Sequence, residues 1–261
     1  MENNEKKEKE ENNNNNKDNN NLIDSSKYKI TKVEKGEDIS NLEELTFKVI
    51  VIGDPAVGKS TIIQNLVNES EPIKNKYKAT IGFDIFNYSA HVNKKIITMQ
   101  IWDTCGLLDF SASTPKLYKN TALAIVVYAA NNSSSFQNLG NWINLLKTNS
   151  SSEVLVFIVG NKVDLVDEKV ITSYEGEEFV KTNNHKYFIE TSALKRWYVK
   201  EMFDKALVEL YELHKFYNEK DKEEEDDEED EQRYDFSKRK GTFVLKNEKH
   251  DKKNKKRIKC C

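Results

Sequence analysis

A lysine and a hydroxyl stand side by side at Lys59 and Ser60, closing the stretch Gly53-Asp54-Pro55-Ala56-Val57-Gly58-Lys59-Ser60. The spacing is that of a loop that cradles phosphate between a strand and a helix. Gly53 and Gly58 permit a tight turn whose backbone N–H groups point inward at phosphate oxygens. Lys59 reaches the β and γ phosphates, and the Ser60 hydroxyl ligates Mg²⁺. Thr61 opens the next helix, and the helix N-terminus adds partial positive charge.

Four further groups are spaced along the chain as a bound nucleotide requires. Asp103-Thr104-Cys105-Gly106 comes after an apolar run ending at Trp102. An Asp at the carboxyl end of a strand holds Mg²⁺ through water, and Gly106 offers its N–H to a γ-phosphate. Thr80, in the loop after the first helix, brings a hydroxyl to Mg²⁺ when a γ-phosphate is present. Asn161-Lys162-Val163-Asp164 comes after another apolar run. A carboxylate at Asp164 accepts from the N1–H and 2-amino group of guanine; adenine lacks both donors and leaves it unpaired. Thr191-Ser192-Ala193 comes after a third run, and the Ala193 N–H is expected to meet the guanine O6. Each group alone is weak; their order and their places after strands make the case.

The elements that must position these residues are legible as texture. Strand character recurs at 47–52, 96–102, 122–129, 153–159 and 186–190, and helical periodicity at 59–68, about 134–148, 174–182 and 198–217. Alternation of the two implies a mostly parallel sheet covered on both faces. Segment 83–92 and the strand after Asn93-Lys94-Lys95 read as one antiparallel hairpin at the sheet edge. The expected fold is α/β, six-stranded, with one domain over 47–217, long enough for one well-buried core.

The two ends differ in kind. Residues 1–46 are a low-complexity extension rich in Asn, Lys and Glu, with an Asn run at 12–16 and a few apolar positions after Leu22. The first 21 residues carry too little apolar surface to offset chain entropy and are expected to be disordered. Residues 218–261 read as a tail. It holds nine consecutive acidic residues, Glu223–Glu231, then a basic stretch, then Cys260-Cys261. The net charge of −3 averages over these opposed blocks and indicates no partner by itself. No apolar run reaches the roughly 18 residues of a membrane span. The N-terminus has no apolar signal region, and Glu2 excludes N-myristoylation. Three cysteines, two of them terminal, make no disulfide framework.

The wording of 47–217 resembles the Ras-like small GTPases, most closely the Rab family. The resemblance rests on Lys48-Val49-Ile50-Val51-Ile52-Gly53-Asp54, Thr80-Ile81-Gly82-Phe83-Asp84, Ile101-Trp102-Asp103-Thr104, Asn161-Lys162-Val163-Asp164 and Glu190-Thr191-Ser192-Ala193. It implies GTP and GDP as ligands with Mg²⁺, held by Gly53–Thr61, Thr80, Asp103, Gly106, Asn161, Lys162, Asp164, Ser192, Ala193 and Leu194. It implies a monomeric switch that recruits effectors in vesicle traffic, and names exchange factors, GAPs and a GDP-dissociation inhibitor or escort protein as partners. Cys260 and Cys261 would both be prenylated, placing the chain on the cytoplasmic face of an intracellular or plasma membrane, with a cytosolic pool. Two lipid chains beside basic residues anchor stably, so lipid rather than nucleic acid is the expected partner of the basic tail.

The sequence departs from that family at several places. Leu107 and Leu108 come after Gly106, where relatives carry Gln and then Glu. That Gln orients the attacking water, and Leu has neither donor nor acceptor. No catalytic residue is therefore assigned, and slow hydrolysis is expected. The alternative is a GTP-binding recruitment module that hardly hydrolyses at all. Pro55 removes an N–H and Ala56 adds a methyl, which either disturbs contacts near the γ-phosphate or tunes the loop. Ile73 stands where relatives place an aromatic against guanine, and Leu194 replaces a common Lys. Of the family's aromatic effector triad Trp102 is kept, with Ile85 and Leu117 at the other two places. Trp142 and Trp197 read as helix-face packing, Cys105 as a small buried filler. The four histidines have no ligand spacing.

Overall fold

Alternate residues of one strand feed two different cores. Val49 and Val51 pack on one face of the sheet, and Ile50 and Ile52 on the other, all fully buried. A strand buried on both faces must be apolar throughout, which is why 47–52 reads as a continuous run. In the computed structural model, residues 27–34, 36–68, 79–108, 115–150 and 154–226 are described, the stretch 219–226 in backbone only. The strands and helices, in chain order, are β1 (Ile30–Lys32), β2 (Glu43–Ile52), α1 (Lys59–Val67), β3 (Phe83–Val92), β4 (Lys95–Thr104), β5 (Leu123–Ala129), α2 (Ser133–Gln137), α3 (Leu139–Asn149), β6 (Leu155–Asn161), α4 (Ser173–Thr182), β7 (Tyr187–Thr191) and α5 (Val199–Asp226).

The sheet runs β1-β3-β4-β2-β5-β6-β7. β2 pairs in parallel with β4 and β5, β5 with β6, and β6 with β7. β3 is antiparallel to β4, as expected of the hairpin, with Asn93 in the left-handed region at its turn. Helices α1 and α5 cover one face through Ile62, Ile63, Leu66, Phe203, Leu207 and Leu210. Helices α3 and α4 cover the other through Leu139, Trp142, Leu146 and Val180. Every residue of β5 is buried. Each such Ile or Leu contributes about 1.5–3 kcal/mol, so the sheet centre is the most strongly held part of the fold.

Several boundaries differ from expectation. The described sheet has seven strands, not six, because β1 adds to the edge of β3 with Ile30 opposite Val92 and Lys32 opposite Ala90. Tyr28 and Ile30 share a period of two and pack against the first core. β2 also starts at Glu43, with Leu45 buried, so the folded unit begins before the expected Phe47. At the other end α5 continues past the expected 217 into the acidic run as far as Asp226; the Glu and Lys there are good helix formers. The single helix expected over 134–148 is broken at Asn138 into α2 and α3, where the Asn138 N–H turns back to the carbonyls of Ser134 and Phe136. Among the described residues, no helix is long and apolar enough to cross a membrane.

Candidate nucleotide-binding site

The carboxyl ends of β2, β4, β6 and β7 deliver the four motifs to one edge of the sheet. After β2 the chain turns through Gly53–Gly58 into α1. Gly58 has φ +103°, and a Cβ there would collide with the Asn161 side-chain amide. Only glycine meets both conditions. Asn161 closes the same contact with a hydrogen bond from Nδ2 to the Val57 carbonyl at 2.8 Å. The loop after β6 is thus fastened to the phosphate loop.

Lys59 is buried and donates from Nζ to the carbonyls of Gly53 at 2.9 Å and Asp54 at 2.8 Å. Burial lowers its pKa to about 8, against the opposing pull of Asp103, Cys105 and Asp54. An ammonium held in so dry a place is poised to gain from an anion such as phosphate. Gly106, at φ +80°, leaves room for that ammonium; a Cβ would run into Nζ.

Ser60, Thr80 and Asp103 converge as the sequence predicts. Ser60 Oγ and Thr80 Oγ1 share a hydrogen bond of 2.9 Å, and Thr80 Oγ1 donates to Asp103 Oδ2 at 3.3 Å. Asp103 is 1% exposed, and its Oδ1 has no hydrogen-bond partner. Burial raises its pKa, opposed by Ser60, Lys59 and Thr80. A buried carboxylate oxygen with nothing to accept, beside two hydroxyls, is a hard oxygen set that fits Mg²⁺.

The residues expected to recognise a base also come together. Asn161 Oδ1 accepts from Thr191 Oγ1 at 3.2 Å and from the Ala193 N–H at 3.0 Å. Asp164 Oδ1 accepts from Ser192 Oγ at 2.6 Å, and Ser192 Oγ accepts from the Lys195 N–H at 3.0 Å. The Ala193 N–H, expected to face a guanine O6, donates to Asn161 Oδ1, and Ala193 itself is buried. Lys162 holds φ +68°, and its pKa is lowered by burial, against the pull of Asp164 and Glu168. Asn65 on α1 donates to the Ala193 carbonyl, tying the last loop to the first helix.

The departures are placed with equal clarity. Leu107 is 56% exposed, and Leu108, like Trp102, packs against the second core. Pro55 and Ala56 are exposed, Ala56 at φ +62°. Leu194 is exposed, and Cys105 is half-buried rather than a buried filler; its N–H donates to the Gly82 carbonyl at 3.0 Å. Trp197 lies not on a helix face but in a short bridge with Ser192. Among the described residues no group of His, Cys, Asp and Glu has metal-ligand arrangement. Ile73, Cys260 and Cys261 lie outside the described residues.

Two contacts had no sequence signal beyond residue type. Lys48, on β2, sits over the Trp102 ring at 4.0 Å and donates to the carbonyls of Lys116 and Lys119. Asp54, inside the phosphate loop, accepts from Trp142 and Asn138.

A model of the Ras family matches residues 48–212. The chain belongs to the Ras family. Its relatives place it in the Rab branch. It is 36% identical to Ras-related protein Rab-11C of Dictyostelium discoideum over 170 residues, which is 65% of this chain and 75% of that protein. It is 37% identical to Ras-related protein RABA5c of Arabidopsis thaliana over 176 residues, 67% of this chain and 80% of that one. In this Rab-family chain the three positions expected to form an aromatic triad differ in exposure. Ile85 is exposed and Leu117 is buried, while Phe83 stacks on Trp102 with ring centroids 5.0 Å apart and planes 23° apart.

Proposed function

We propose that the chain is a guanine-nucleotide switch that binds GTP or GDP with Mg²⁺, recruits effectors to a membrane in vesicle traffic, and hydrolyses GTP slowly. The observation that carries nucleotide binding is the Ser60–Thr80–Asp103 cluster beside the buried Lys59. Ser60 and Thr80 would hold the ion directly, and Asp103 through water. Bound there, Mg²⁺ neutralises charge that develops on phosphate oxygens. Lys59 would pair with the β and γ phosphates, the phosphate-loop N–H groups would orient them, and Asp164 would read the base. Thr80 would report the γ-phosphate, because its hydroxyl meets Ser60 and Asp103 from the loop leading into β3.

Slow hydrolysis rests on Leu107. Its exposed side chain lies next to Gly106 with no polar atom to orient water. The second reading, a module that hardly hydrolyses and signals until it is released, rests on the same residue. Exchange factors, GAPs, a GDP-dissociation inhibitor and effectors are the partners proposed by family membership. Attachment through prenylated Cys260 and Cys261 belongs to the same proposal.

The test is the nucleotide carried by freshly purified protein, read by chromatography of the denatured extract. Mostly GTP supports the non-hydrolysing module. Mostly GDP supports the slow switch, cycled by the chain or by a GAP. Single-turnover hydrolysis by Leu107→Gln should be about 10²-fold faster than that of the natural chain, the lower end of what a positioned proton-handling group supplies. Equal rates would remove Leu107 from the explanation.

A further inference from the structure

The Asp54 carboxylate has both oxygens taken by one helical turn on the far side of the phosphate loop. Trp142 Nε1 donates to Oδ1 at 2.7 Å, and Asn138 Nδ2 donates to Oδ2 at 2.7 Å. These are the short distances of hydrogen bonds to a charged acceptor. Trp142 is fully buried in the second core, so its N–H is a fixed point. Asn138 sits where α2 breaks from α3, and the break is what turns its amide toward the loop.

The same residue's backbone carbonyl accepts from Lys59 Nζ at 2.8 Å. Asp54 therefore joins α3 to the lysine that meets phosphate. The tie matters because of the two residues directly after Asp54. Pro55 has no N–H to give, and Ala56 carries a Cβ at φ +62°, a conformation that disfavours it. The loop has lost a donor and holds a strained residue at that point. Its remaining N–H groups point correctly only if the segment before them is held.

We propose that Trp142 and Asn138 are positioning residues that act through Asp54 to hold the phosphate loop in its nucleotide-binding shape. This rests on the guanine-nucleotide reading. The alternative, that the three residues merely brace the core, predicts altered stability with unchanged handling of phosphate.

The experiment measures release of mant-GDP from full-length protein with Mg²⁺ for the natural chain, Trp142→Phe, Asn138→Ala, Asp54→Ala and the Trp142→Phe/Asp54→Ala pair. Loss of a hydrogen bond to a charged group should speed release about tenfold. Trp142→Phe should add nothing in the Asp54→Ala background, because both changes cut the same tie. The ³¹P resonance of bound GDP β-phosphate should move in Trp142→Phe, which bracing of the core alone would not cause. Asn138 is only half-buried, so Asn138→Ala carries the test if Trp142→Phe does not fold. A natural chain that binds, with variants that release at its rate, overturns the inference alone. So does full acceleration by Trp142→Phe in the Asp54→Ala background. A natural chain that takes up no mant-GDP overturns the nucleotide reading and this inference with it.

Discussion

Asn161 and Gly58 occupy one another's only available space. The Asn161 amide donates to the neighbouring Val57 carbonyl at 2.8 Å and lies where a Gly58 Cβ would have to go. Gly58→Ala therefore meets a steric clash and a left-handed φ of +103° together. The conformational part alone costs about 1–2 kcal/mol. The variant should lose more free energy of guanine-nucleotide binding than of folding. Isothermal titration and thermal melting of the same preparation check this.

Ser192 Oγ fixes Asp164 Oδ1 at 2.6 Å, and the role proposed for this carboxylate is to accept from two donors on one base edge. Asp164→Asn exchanges an acceptor for a donor. Preference should move from guanine toward xanthine nucleotides, by about 10²-fold or more in the ratio of affinities. Competition between GDP and XDP measures it. An unchanged ratio would count against the assigned role.

Lys48 gives a pH signature. Burial brings its pKa down to about 8 from the ordinary 10.5. Between those values the unfolded chain keeps a proton that the folded chain has released. The unfolded state then binds more protons, so folding stability rises with pH across that window. Below pH 8 both states are protonated and the contribution is flat. Urea unfolding of GDP-loaded protein at about pH 7.5 and about pH 9.5 should show the gain, and Lys48→Met should reduce it. An equal gain in the variant would place its source elsewhere.

Tyr28 holds the added strand. Its hydroxyl donates to Glu212 Oε1 at 2.8 Å, its ring meets Tyr211 edge-on, and its pKa is raised to about 12, chiefly by burial and then by Glu212. Tyr28→Phe should cost about 0.5–1.5 kcal/mol, the usual net worth of one hydrogen bond. Removing residues 1–33 should cost more, because it also uncovers the β3 edge at Ser89–Val92. Denaturant midpoints rank the two, and hydrogen exchange at 89–93 reads the uncovered edge directly.

The central elements are legible in the sequence because each is marked twice. Val49–Ile52 is apolar by run and β-branched by type, and it precedes a loop with fixed glycines. The Ser60–Thr80–Asp103 cluster is legible because metal chemistry limits the residue types that can take part. β1 is not legible, since three residues carry too short a period to stand out from a polar lead-in; only pairing with β3 makes them a strand. The break at Asn138 is hidden for a related reason. Helical period runs through it, and the partner that the Asn138 side chain meets at the break is Asp54, 84 residues away. The bond from the Ala193 N–H to Asn161 is not legible, because several acceptors compete for one donor and sequence does not rank them. Trp142 shows the limit most plainly. Its ring packs as its spacing suggests, while its N–H has a second use that hydrophobic patterning does not register.

Tyr28 and Glu212 stand 184 residues apart in the chain and in contact in the fold. The lead into β1 and the body of α5 therefore meet at this point, so that a ligand or a variant that disturbs the helix at Glu212 also reaches the strand that Tyr28 anchors.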